Sequence, residues 1–207
     1  MTIFVRSTAI ALAGLGISML AARTFAADEN PETVQARWRP TEVSYSYTGF
    51  TTAYDCQAFE AKMKRILLTV GSHPNTKVRA TGCQASRASS SFFVTITTAI
   101  PVPADQEPVS QQDQSKQELL KRLGAPNAAP EEQFAAVRKR IDLNADRRLN
   151  LGPGDCELME DLRDKVLPKL GVEIVEQHLM CTPNQISIRT PELAVSALVP
   201  VKSPDVK

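Results

Sequence analysis

Four cysteines mark out two stretches of chain that match each other in register, and this likeness restricts the fold more than any other feature. With Asp55-Cys56 set over Asp155-Cys156, Glu60 falls on Glu160, Arg65 on Lys165, Ile66-Leu67 on Val166-Leu167 and Val70-Gly71 on Leu170-Gly171. Fifteen residues separate cysteine from glycine in both stretches, and a second cysteine follows the first by 27 residues in one and 25 in the other. Each stretch closes on Pro-Val, at Pro101-Val102 and Pro200-Val201. Self-similarity in register is the signature of a repeated structural unit. The expected fold is therefore α+β: two β-α-β-β repeats forming a mainly antiparallel sheet, with two helices packed on it and a Pro/Gln-rich linker between the repeats.

The elements follow from periodicity. Val43, Tyr45 and Tyr47 alternate with serines at the period of a half-buried strand; Val137, Ile141 and Leu143 do so less regularly, because Lys139 interrupts them. Asp55 and Asp155 stand where an N-cap carboxylate accepts a free helix amide. Cys56, Phe59, Met63, Ile66, Leu67 and Val70 recur at three- and four-residue steps, as do Cys156, Met159, Leu162, Val166, Leu167 and Leu170, so each helix buries one stripe that includes its cysteine. Gly71 and Gly171 suit the left-handed position that ends a helix. Pro168 lacks a donor and is expected to kink or shorten the second helix.

Second strands are predicted over Lys77–Thr81 and Val172–Leu179, and a third through Phe92, Val94, Ile96 and Thr98. In the second repeat, Ile186 with Ile188, then Leu193, Val195 and Ala197, predict two short strands about a Thr190-Pro191-Glu192 turn. The repeats occupy residues 27–102 and 132–207, and 103–131 reads as the linker, with a short helix over Ser115–Leu123. Each repeat is small for a core of its own, so one shared sheet with both helices on one face is expected.

Residues 1–26 have the make-up of a cleaved export signal. Arg6 precedes an apolar run from Ser7 to Ala22, and Thr24 and Ala26 offer small side chains at the −3 and −1 positions. The run is shorter than the roughly 20 residues that span a bilayer, and no later segment is apolar enough to do so. The expected location is periplasmic or secreted. There four cysteines form disulfides, and of the three possible pairings the repeat selects Cys56–Cys83 and Cys156–Cys181. The formal charge is +1 and becomes −1 without the Arg6- and Arg23-bearing segment. A nucleic-acid partner is not expected at that charge with 5% aromatic residues.

Few residues suggest chemistry. No nucleophile elbow, zinc-binding helix motif, phosphate loop or dinucleotide fingerprint occurs, so no cofactor is expected. His73 sits in a Ser-His-Pro-Asn turn and His178 near a strand end, each without a partner at zinc spacing. Glu60 and Glu160 recur on the helices, as a symmetric acid pair would. Asp142, Asn144, Asp146 and Asn150 place oxygens at positions 1, 3, 5 and 9 of a calcium-type loop, but Arg147 replaces its glycine and Pro153 its bidentate acid. A polar Asn/Asp turn is the better reading. The basic runs Lys62-Lys64-Arg65 and Arg138-Lys139-Arg140 are interleaved with acids and read as solvated faces.

Tyr47-Thr48-Gly49-Phe50-Thr51-Thr52 and Gly154-Asp155-Cys156-Glu157-Leu158 resemble an uncharacterised family of exported Gram-negative bacterial proteins built from two Cys-helix-Gly-strand-Cys units. The resemblance implies a periplasmic or secreted protein and no activity. The expectation is a non-catalytic binding or envelope-accessory module whose partner is an envelope protein or a small molecule. The alternative is a hydrolase or divalent-cation-dependent enzyme using Asp and Glu side chains.

Overall fold

A computed structural model describes residues 33–83, 87–105 and 133–201. The export segment, the Ser115–Leu123 helix and all of the linker beyond residue 105 lie outside the described residues. The elements in chain order are β1 (Thr33–Thr48), α1 (Cys56–Thr69), β2 (Lys77–Thr81), β3 (Ser91–Pro103), β4 (Phe134–Asp142), α2 (Cys156–Asp161), β5 (Glu173–His178) and β6 (Glu192–Pro200). The architecture is α+β, with six strands in one antiparallel sheet ordered β2-β3-β1-β4-β6-β5. Side chains of α1 and of the second helix enter one common core.

β1 begins well before the predicted alternation, and its two halves bury opposite faces. Val43 and Tyr47 point to the helix-covered side, opposite Ile96 and Phe92 of β3. Nearer the N-terminus the buried parity changes: Ala36 joins Ala136 and Leu198 in a separate small cluster, with Val34 and Phe134 against it. This is where the halves of the sheet are sewn together, through a ladder of only four residue pairs, Thr33–Ala36 against Phe134–Val137.

The helix ends follow the sequence closely. The Asp55 carboxylate accepts from the Ala58 amide at 2.7 Å, and α1 buries Phe59, Met63, Ile66 and Leu67. At its far end Gly71 donates to the Leu68 carbonyl and Ser72 to that of Leu67, the paired bonds of a Schellman turn. Gly71 has φ +90°, and a Cβ there would lie 2.5 Å from the Leu198 carbonyl oxygen, so both its backbone angle and its contact with β6 require glycine. The second helix closes identically, Gly171 bonding to Pro168 and Val172 to Leu167.

In between, the second helix does not stay α-helical. Its six α-helical residues run into a π turn (Leu162–Val166) and then a 3₁₀ turn (Leu167–Leu170). Pro168 has no N–H to give the carbonyl four residues back, so the pitch changes where α1 continues unbroken. The stripe survives the change: Met159, Leu162, Val166, Leu167 and Leu170 are all buried.

Cys56–Cys83 and Cys156–Cys181 are bonded, with Cα separations of 5.9 and 5.5 Å. Each ties the first residue of a helix to the loop after the following strand.

Three expectations are corrected. Ile186 and Ile188 form no strand but lie in the β5–β6 loop, exposed, because no sheet edge is placed to pair with them. The strand predicted to begin at Val172 starts one residue later, Val172 being held by the helix-closing turn. The linker expected from residue 103 starts later, because β3 runs through Pro103, which pairs with Ala36.

Candidate functional site

The segments 47–52 and 154–158, singled out separately in the sequence, meet in space. Thr51 donates to Glu157 twice, from its amide to Oε2 at 3.2 Å and from its hydroxyl to Oε1 at 2.8 Å. Gly154 lets the chains approach: a Cβ there would stand 2.7 Å from Thr52 Oγ1. Behind them Asp155 Oδ1 accepts from the Tyr54 hydroxyl and from Lys62 Nζ at 2.7 Å, while Oδ2 accepts from the Gly152 amide at 2.8 Å. Lys62 Nζ also reaches the Asn150 carbonyl at 3.1 Å and lies 5.7 Å from the Tyr54 ring centroid. A charged pair this deep, with side chains 14% and 8% exposed, needs such additional hydrogen bonds to offset desolvation.

Two readings of single residues change here. Asp155 matches Asp55 in sequence, yet its side chain does not cap α2; its carboxylate turns to Tyr54, Lys62 and Gly152 instead. Lys62, grouped in a solvated basic run, is drawn inward by that carboxylate, while Lys64 and Arg65 remain exposed. No local signal separates Lys62 from its neighbours, because its partner lies 93 residues away.

A second cross-connection mirrors the first. Lys165 donates to the Ser46 carbonyl at 3.1 Å, pairs with Asp161 at 2.7 Å and lies 5.7 Å from the Tyr45 ring centroid. Burial raises the Asp161 carboxyl above its ordinary range, and the Lys165 bond opposes that rise.

The chain's three tyrosines all belong to this junction. Burial raises each phenol well above its usual range, with Asp161 adding to the rise at Tyr45, Glu157 at Tyr47, and the Asp155 hydrogen bond at Tyr54. The folded state therefore keeps protons that the unfolded chain releases above about pH 10. The contribution is intact below that pH and is lost as pH rises. Stability is expected to fall above pH 10 by up to about 4 kcal/mol per pH unit for three such phenols. Alkaline titration followed by phenolate absorbance and near-ultraviolet circular dichroism checks this. The phenolate signal should appear together with loss of tertiary structure; phenols titrating near pH 10 in a folded protein would contradict it.

The remaining candidate residues do not assemble. Glu60 accepts from the Ala80 amide at 2.7 Å, tying α1 to edge strand β2. Burial raises the Glu160 carboxyl, Arg163 opposes the rise, and Asp164, Glu157 and Asp161 add to it. Asp142 closes a turn on the Asn144 amide, the Asn144 side-chain amide donates to the Pro191 carbonyl, Asp146 holds the Arg148 guanidinium and amide, and Asn150 is a left-handed turn residue. Those oxygens are arranged as a polar turn. Among the described residues no group of three or more His, Cys, Asp or Glu is placed to hold a metal ion. His73 Nδ1 accepts from the Asn75 amide and its ring stands edge-on to Trp38; His178 lies exposed beside Glu176 and Glu192.

Two other features were not foreseen. A cavity of about 200 Å³, lined by Arg39, Ser72 and Arg138 as well as by aliphatic residues, lies at the C-terminal ends of the two helices. At another end of the fold, Met180, Ile186 and Ile188 stand exposed on the β5–β6 loop. Among the described residues no helix is long and apolar enough to cross a membrane. No protein-family pattern, curated protein or solved structure matches the chain.

Proposed function

We propose that this is an exported, disulfide-stabilised protein, built by duplication of one β-α-β-β unit, that binds a partner protein and carries no catalytic site. One observation supports binding above all. Met180, Ile186 and Ile188 are 86, 70 and 101% exposed on a loop that is nevertheless tied down. Cys181 anchors the loop to α2, the Gln185 carbonyl accepts from the Thr51 hydroxyl at 3.2 Å, and Ser187 Oγ donates to the Met180 carbonyl at 3.3 Å. Phe50, the chain neighbour of Thr51, is exposed as well. Water-exposed apolar side chains on an ordered loop lose little further entropy when a partner covers them, which is how binding hot spots gain affinity.

Duplication is supported by the shared element order, the matching disulfides and the identical helix-closing turns. Export is supported by the two disulfides and by the make-up of residues 1–26. Against the hydrolase alternative stands the engagement of Glu60 with a strand amide.

A photo-crosslinking residue placed at Ile188 in producing cells tests the binding reading, with Lys64 on α1 as control. A discrete protein adduct is expected from position 188 alone, and its loss when Met180 and Ile186 become Ser. Equal labelling from both positions would refute the surface. Hydrolase assays on wild type, Glu60→Ala and Glu160→Ala test the other half: turnover abolished in a folded variant would overturn the non-catalytic assignment.

A further inference from the structure

The sheet ends in two edge strands of opposite charge, and among the described residues no strand pairs with the outer side of either. β2 carries Lys77 and Arg79, both exposed, and neither forms an ion pair with a described residue. β5 carries Glu173 and Glu176, also exposed. Charged residues on an edge ordinarily keep edges from pairing. Here the signs differ, so the same device repels like edges and admits unlike ones. Two β2 edges would set Lys77 and Arg79 against each other, and two β5 edges would do the same with Glu173 and Glu176.

Face, spacing and direction match as well. Val78 and Ala80 of β2 pair with Ile96 and Val94 in the core, so Lys77 and Arg79, opposite Thr97 and Thr95, project from the face away from the helices. Ile174 of β5 pairs with Val195 in the core, and Glu173 and Glu176 stand opposite Ser196 and Ala194 on that same outer face. The two acids are three residues apart in sequence, but the bulge at Val175 takes up one and leaves them two ladder steps apart. Lys77 and Arg79 have the same spacing. Strand direction alternates through the sheet, so β2 and β5, first and last, run opposite ways. A second copy with its β5 beside β2 therefore continues the antiparallel ladder and keeps its helices on the same side.

The Ala80 amide bonds to Glu60 at 2.7 Å instead of to β3, so Val78 and Ala80 present their N–H and C=O groups at the free edge. Lys77 and Arg79 consequently fall in the non-hydrogen-bonded pairs of an added strand, where side chains approach most closely. Glu60 retains the Ala80 amide, which ends the ladder beyond Val78 and keeps the contact short. The other charges at the edges are Lys64 near β2 and, near β5, Glu192, His178 and Arg140, which holds Glu176 Oε2 at 2.5 Å. They leave the β2 edge net positive and the β5 edge net negative.

We propose that β2 of one copy of this chain pairs with β5 of a second copy, Arg79 opposite Glu173 and Lys77 opposite Glu176. Such a head-to-tail contact leaves one edge of each kind free, so the assembly grows past a dimer. It does not rest on the apolar β5–β6 loop, and the two readings fail or succeed separately.

Sedimentation equilibrium of the full chain tests this. The weight-average mass should rise with concentration past that of a dimer, with a Kd of about 0.1–1 mM, as suits a small contact. Raising the ionic strength from about 0.01 to about 1 M shortens the screening length from about 30 to about 3 Å and should weaken association at least tenfold. Lys77→Glu with Arg79→Glu should abolish self-association, and so should Glu173→Lys with Glu176→Lys. Mixing these two variants should restore it, because the acidic edges of one then meet the basic edges of the other; misfolded variants would not do this. Met180→Ser with Ile186→Ser should associate as the wild type does. A monomer at every concentration, growth that stops at a dimer, association that persists in either charge-reversed variant, or no association in their mixture would overturn the proposal. Loss of association in the Met180 and Ile186 variant would assign the contact to the β5–β6 loop and overturn it as well.

Discussion

Asp155→Ala is expected to destabilise the protein by about 3–5 kcal/mol, the usual result of removing one member of a buried ion pair. The substitution leaves the Lys62 ammonium, 14% exposed, with only the Asn150 carbonyl, and strips the Tyr54 hydroxyl and the Gly152 amide of their acceptors. Losing a pair in water would cost under about 1 kcal/mol; the larger figure arises because the partners left behind stay desolvated. The same reasoning predicts partial rescue. With Lys62→Met added to Asp155→Leu, no charge is buried, and most of the loss should be recovered, leaving chiefly the cost of the orphaned Tyr54 and Gly152 donors. Denaturant unfolding of the single and double variants measures both. A cost below about 1 kcal/mol for Asp155→Ala would mean that water reaches the pair.

Breaking either disulfide is expected to cost about 3–4 kcal/mol, since loops of 27 and 25 residues are released in the unfolded chain. The consequences should nonetheless differ. Cys83 closes the turn beyond edge strand β2, which Glu60 also holds through the Ala80 amide. Cys181 carries the β5–β6 loop, whose other ties are single hydrogen bonds, among them Thr51 to Gln185, Asn144 to Pro191 and Ser187 to Met180. Cys156→Ala with Cys181→Ala should therefore raise amide exchange across residues 179–191 in addition to lowering stability. Cys56→Ala with Cys83→Ala should lower stability and leave that loop protected. Equal exchange at 179–191 in both variants would show that the loop is ordered without its covalent anchor. Losing both bonds removes about 6–8 kcal/mol, comparable to the whole stability of a domain this size, so the doubly reduced chain should not fold.

Much of the fold could be read from residues that act on their near neighbours. Asp55 caps α1 through the amide three residues on, Gly71 and Gly171 end their helices, and Pro168 alters the pitch of the second helix. The alternation through Phe92, Val94, Ile96 and Thr98 marks the buried side of β3. Where the reading failed, the deciding partner was remote. Asp155 has the sequence surroundings of a cap but finds Lys62 and Tyr54 within reach. Ile186 and Ile188 have the alternation of a strand but no edge to pair with. Lys62 looks like Lys64 until the second helix is laid beside it.

By itself the sequence determined the element types, the helix ends and the cysteine pairing within each half. These depend on i, i+3 and i+4 contacts, on left-handed backbone positions that only glycine fills cheaply, and on cysteines no more than 27 residues apart. Only the tertiary structure decided that β1 pairs with β4 to make one six-stranded sheet, that residues 47–54 meet 154–157, and that Ser72, Arg39 and Arg138 line one cavity. A strand's periodicity says which face it buries, but any free edge satisfies its backbone equally. The choice among edges is made by packing across the whole core, which no local pattern encodes.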